Sequence, residues 1–147
     1  MSLKEKLLED LKSSMKNKDT VRKNTITMIR AAIKQKEVDE RKELKDEDIL
    51  DIISKQLKEK RNVIGDFKKA DRQDLVELTE KEIEILLEYM PAQLTDEELE
   101  EIVKQTINDT NATSAKDIGL VMKSVMPKVK GRADGERVNK IVRQLLK

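Results

Sequence analysis

Three features of the sequence predict an all-α protein. Apolar residues recur at spacings of three and four, the period of a helix rather than of a strand. Only four glycines and two prolines stand among 147 residues, too few to punctuate a sheet. Aromatic residues are nearly absent, with one Phe, one Tyr and no Trp, so the core must come from Leu, Ile, Val and Met. At 41% charged and 37% hydrophobic residues the chain is polar, yet its apolar pattern separates it from disordered sequences. The expected architecture is an N-terminal antiparallel helical bundle of about four helices over residues 1–92, then a small three-helix module over 93–147.

Ser2 followed by Glu5 fits a capping box, in which each side chain satisfies an orphan N–H of the other. Leu3, Leu7, Leu8, Leu11 and Met15 then mark one apolar face of a first helix. Lys16-Asn17-Lys18-Asp19 breaks that stripe, and Asp19 is placed to cap a second helix buried through Val21, Met28, Ile29, Ala32 and Ile33. Asp46 is expected to cap a long third helix carrying Ile49, Ile53, Leu57, Ile64 and Phe67. Gly65 inside it predicts a close crossing or a kink. A turn at Ala70-Asp71 leads to a fourth helix with Leu75, Val76, Ile83, Leu86, Leu87 and Met90, stopped by Pro91. Through residue 94 the charges balance, 21 Lys/Arg against 21 Asp/Glu.

Thr95 and Glu98 form a second capping box, opening a fifth helix with Leu99, Ile102, Val103 and Ile107 on its buried face. Its acidic first turn suits the positive end of the helix dipole. Ser114 is expected to cap a sixth helix with Ile118, Val121, Met122, Val125 and Met126, ended by Pro127. Asp134 is placed to cap the last, with Val138, Ile141, Val142, Leu145 and Leu146. The five methionines named on these stripes are expected to pack in the core.

Composition excludes much chemistry. Without cysteine there is no disulfide, thiolate metal site or Cys nucleophile, and without histidine the commonest general base and metal ligand is gone. The acidic clusters at Asp46-Glu47-Asp48 and Glu97-Glu98-Glu100-Glu101 stand where helix starts favour acid, and lack calcium-loop spacing. No catalytic constellation, metal site or cofactor is expected. The N-terminal segment has no apolar signal core and no run approaches membrane-spanning length, so a cytoplasmic protein without a membrane partner is expected.

One stretch departs from this balance. From residue 116 onward nine Lys/Arg meet three Asp/Glu, a net charge of +6 in a chain of net +1. Lys128, Lys130 and Arg132 lie within five residues beside Gly131, in a pattern suited to phosphate contact. Lys123, Arg137 and Lys140 extend the basic surface along the neighbouring helices. The plainer alternative is a solvated face with cations favouring helix C-termini. With no aromatic platform nearby, splayed bases have nothing to stack on, so a structured RNA read by backbone and shape is the better partner. The presumed reading helix of a helix-turn-helix lacks an Asn/Gln/Arg cluster, and no DNA partner is expected.

The run Met122 to Gly135, MKSVMPKVKGRADG, closely resembles the C-terminal element of the GatB/YqeY family. Met15 to Asp19, Arg72 to Leu75 and Tyr89 to Leu99 are similar to further segments of it, so the resemblance spans nearly the whole chain. It is to the stand-alone YqeY-like branch, because 147 residues leave no room for the catalytic portion of the amidotransferase B subunit. The resemblance implies a bundle followed by a three-helix module. It also implies a link to tRNA-dependent amidotransferases, where the similar tail recognises folded tRNA while another part does the glutamine-dependent chemistry. Carried over by motif, the tRNA-facing residues are Lys128, Lys130 and Arg132, with Lys123, Arg137 and Lys140 beside them. An amidotransferase or an aminoacyl-tRNA synthetase is the implied protein partner. Asp71 stands where the family pattern leads one to expect Gly. The alternative function is a non-enzymatic adaptor, docking its charged N-terminal bundle on a translation-related enzyme.

Overall fold

The computed structural model describes residues 1–146, and all regular structure among them is helical. It divides into two compact units, Met1–Met90 and Pro91–Lys147.

The first unit holds four helices: α1 (Leu3–Lys16), α2 (Thr20–Glu40), α3 (Asp46–Lys69) and α4 (Gln73–Leu87). Helix α2 packs on each of the other three, and α3 also packs on α4 and α1. Leu7, Ile26, Ile29, Ile49, Ile53 and Leu86 are fully buried where they meet. Each fully buried Leu or Ile contributes on the order of 1.5–3 kcal/mol relative to exposure. Lys60 and Glu82 tie α3 to α4 at 2.9 Å, both largely buried.

In this unit the helix starts follow the sequence, with one correction. Ser2 and Glu5 form the capping box of α1, and Asp19 accepts from Arg22 N–H at 3.2 Å. Asp46 does not cap α3. It lies in the first turn, its Oδ1 accepting from Leu3 N–H at 3.1 Å, so it serves α1 across the fold. Asp48 takes the expected local part by accepting from Lys45 N–H at 3.0 Å. The α3–α4 turn puts Asp71 at φ 56°, a left-handed position that Asp tolerates better than most residues in place of Gly.

Two further expectations fail. Met15 and Met28 are 51% and 52% exposed, and Leu8 also reaches solvent, because they lie at the edges of apolar stripes wider than the neighbouring helices cover. Gly65 marks neither a kink nor a close crossing. Helix α3 runs through it unbroken, and nothing lies within 4 Å of where a Cβ would stand. Gly there costs about 0.5–1 kcal/mol relative to Ala with no return in packing.

The second unit holds α5 (Asp96–Thr110), a 3-10 turn (Ala115–Asp117), α6 (Ile118–Val129) and α7 (Gly135–Leu145). Each helix packs on both others. Its fully buried core is mostly valine: Val103, Val121, Val125, Val129, Val138 and Val142, with Leu99. Valine is a slightly poor helix former, so these helices owe their stability to mutual packing. Ser114 precedes the 3-10 turn without a side-chain cap bond. Pro127 does not end α6, which continues to Val129. So near the helix end, the N–H that proline lacks removes one bond from the last turn only.

Candidate nucleic-acid interface

The cationic corner is a defined turn. Lys130 adopts φ −52°, ψ 125° and Gly131 φ 75°, while Arg132 N–H donates to Val129 O at 2.8 Å. Those are the parameters of a type II β-turn, whose third residue needs a positive φ and hence glycine. Asp134 then caps α7 by accepting from Glu136 N–H at 3.1 Å. The run KGRAD therefore encodes turn, exit and cap in succession.

The six cations singled out in the sequence fall into two groups. Arg132 and Arg137 face inward, onto the segment that enters α5. Arg132 Nε donates to Ala92 O at 3.2 Å, and Arg137 Nη2 donates to Leu94 O at 3.0 Å and Asp96 Oδ1 at 2.7 Å. Gln93 Nε2 donates to Gly131 O at 2.9 Å, and Leu94 N–H to Arg132 O at 2.8 Å. The stretch 91–96 is thus bound to the corner by five hydrogen bonds. Lys128 is exposed, but its Nζ donates to the buried Thr106 Oγ1 at 2.9 Å. Lys123, Lys130 and Lys140 are exposed.

Sequence reasoning missed Gln93, Leu94 and Thr106 as partners of the corner. One signal was available: Leu94 precedes the capping Thr95 and Leu99 lies at the fourth helical position, the pattern of a hydrophobic staple. Both leucines are buried in the same core, which fixes where the chain enters α5. A residue pair of that kind is docked, and the carbonyls around it require donors.

The outward surface is cationic on two helices. Lys123 on α6 and Lys140 and Arg143 on α7 are exposed opposite the valines that those helices bury. Leu120, 50% exposed, is the large apolar side chain most open to solvent in this unit. Such a surface has charge and shape to offer, and no aromatic face.

A family model described as Yqey-like protein matches residues 4–146. The chain belongs to the YqeY-like family. Among its curated relatives, the Kluyveromyces lactis protein named "Altered inheritance of mitochondria protein 41, mitochondrial" is 38% identical over 106 residues, covering 70% of this chain and 57% of its own length. The protein of that name from Pyrenophora tritici-repentis is 31% identical over 144 residues, 96% of this chain and 79% of that one. The chain thus spans between about half and four-fifths of these relatives. One of the glutamyl-tRNA(Gln) amidotransferase subunits of Saccharolobus solfataricus is 33% identical over 126 residues, 67% of this chain but 20% of that longer protein. The YqeY-like unit therefore also occurs as a small part of a much larger amidotransferase component. The expectation of a cytoplasmic protein is overturned by the first two relatives, whose names place them in mitochondria. A polar surface and the lack of a membrane-length apolar run suit any aqueous compartment, so they carried no address.

Proposed function

We propose that the C-terminal unit of this YqeY-like protein holds the backbone of a folded RNA of the tRNA class, as an accessory to tRNA-dependent amidation. The observation that carries this is the net +6 over residues 116–147, with Lys123, Lys130 and Lys140 on the surface. Lysine ammonium groups neutralise phosphates without reading sequence, and the absence of an aromatic platform favours shape over base recognition. Kinship with part of an amidotransferase component named for its tRNA supports the same reading. In it, Arg132 and Arg137 hold the corner in shape, and contact falls to the exposed lysines.

The test is an anisotropy titration with bulk tRNA at low and near-physiological salt, beside duplex DNA of equal length. Saturable binding at the higher salt, tighter for tRNA than for the duplex, is expected. Lys123→Glu combined with Lys140→Glu should weaken it at least tenfold and flatten its salt dependence. Equal affinity for any polyanion, seen only at low salt, would reduce the surface to ordinary electrostatics.

One observation favours a second reading, an adaptor for an amidotransferase or a synthetase. Helices α1 and α2 leave Met15, Met28 and Val38 at least half exposed. After nuclease treatment, a purified partner enzyme retained by the full chain and released by Met28→Asp with Val38→Asp would support this adaptor.

A further inference from the structure

The N-terminal unit is neutral only in sum. Residues 55–69 carry six Lys/Arg against two Asp/Glu, whereas residues 71–90 carry two against seven. The cations of the first stretch gather on one face of α3. Lys58, Arg61, Lys68 and Lys69 stand at i−7, i−4, i+3 and i+4 from Gly65, with Asn62 at i−3, and all six residues are exposed. On a helix the offsets of three and four are surface neighbours of the central residue, and i−7 falls on the same face one turn further. Gly65 therefore lies within a strip with cations above and below it. The strip from residue 58 to 69 runs about 17 Å along the axis.

Three observations separate this strip from a merely solvated face. None of the four cations is ion-paired with a described residue, although the bundle pairs Lys4, Arg22, Lys60 and Arg72 with carboxylates. The helix dipole accounts for Lys68 and Lys69 in the last turn, but Lys58 and Arg61 lie two turns earlier. Gly65 weakens the helix, and the fold uses neither its flexibility nor its missing side chain, since its φ is not positive and no atom approaches. A bare patch of backbone ringed by cations suits a ligand that comes close and carries several negative charges.

We infer that this face of α3 is a second contact surface for an RNA sugar–phosphate backbone, separate from the C-terminal corner. The alternative polyanion is an acidic protein surface, and the strip argues against it. Protein interfaces are centred on aromatic and apolar side chains and depleted in lysine, whereas nucleic-acid interfaces are polar and strongly positive. The five side chains around Gly65 are four cations and an amide. Asp51 on the same face lies two turns before Lys58, and Glu59 and Asp66 flank the strip, so its negative neighbours surround the centre without entering it.

The inference rests on the RNA reading above and is tested in the full-length chain with fluorescent bulk tRNA, over a salt series. Two variants probe it: Arg61→Gln with Lys68→Gln removes two charges, and Gly65→Ala keeps every charge while adding one methyl group. The charge variant should bind several-fold more weakly and lose about 1.4–1.8 from the slope of log K against log salt, or 0.7–0.9 for each contact. Gly65→Ala should raise the melting temperature yet weaken binding, a combination that long-range electrostatics alone does not produce. If both variants bind as the parent does, while Lys123→Glu with Lys140→Glu abolishes binding, the α3 surface is overturned and the C-terminal reading stands. If the parent binds no tRNA, both readings fall. If poly-glutamate competes as well as tRNA at equal charge, the strip takes an acidic protein and the inference is overturned.

Discussion

The corner at Lys130-Gly131-Arg132 and the strip around Gly65 have the same ingredients, a glycine among several cations, and use them in opposite ways. At the corner, glycine adopts a conformation that other residues resist, and two of the nearby arginines spend their donors on main-chain carbonyls. On α3 the glycine has no conformational task and the four cations have no carboxylate partners among the described residues. A basic motif in a sequence can therefore be a staple or a surface, and only the direction of its side chains separates the two. Among the cations carried over by resemblance, the arginines prove the more structural and the lysines the more exposed. That agrees with the planar, multi-donor guanidinium being better suited to holding backbone in place.

Replacing Gly131 by Ala should break the corner most. A residue with a Cβ forced to φ 75° costs about 1–2 kcal/mol, read as a lowered C-terminal-unit transition in calorimetry. Next, Arg137→Gln should destabilise the same unit by about 1 kcal/mol, because it removes donors from Leu94 O and Asp96. In hydrogen exchange the amide of Leu94 should lose protection along with it.

An alkaline titration should pick out the other unit. Burial, and next the hydrogen bond to Asp10, hold the Tyr89 hydroxyl well above the ordinary tyrosine range. The folded state keeps that proton when the unfolded chain has lost it. The stability it contributes is complete below about pH 10 and declines as pH rises beyond that, which urea melts at pH 8, 10 and 11 would measure. A melt that did not weaken above pH 10 would contradict the buried hydroxyl. The smallest effect belongs to the strip: Arg61→Gln with Lys68→Gln should leave stability within about 0.5 kcal/mol of the parent. Arg137→Gln and this pair thus remove similar side chains with contrasting outcomes, one seen in melting and the other in binding.

Much of the fold was legible in the sequence, for reasons that are local. Helix starts are written in the residues beside them, as at Ser2/Glu5, Asp19, Thr95/Glu98 and Asp134, and buried faces in the spacing of Leu, Ile and Val. What failed depended on distance. Asp46 looks like the cap of its own helix until the N-terminus of α1 is brought beside it. Met15 and Met28 read as core because spacing gives a stripe without its width. At the candidate interface, charge and glycine positions were plain, but the inward turn of Arg132 and Arg137 was not, since it depends on carbonyls 40 or more residues away. The strip on α3 was hidden by arithmetic, because the acids of α4 cancel its charge in any sum taken over the whole bundle.

Tyr89 closes its hydrogen bond to Asp10 inside the N-terminal unit, and the sequence holds no other tyrosine and no tryptophan. Intrinsic ultraviolet emission therefore comes from that unit alone, and the C-terminal unit is optically dark. In the same melt, emission then follows the N-terminal unit, while far-ultraviolet dichroism follows the helices of both. Coincident curves would mean that the two units unfold together, and divergent ones would give the stability of each without cutting the chain.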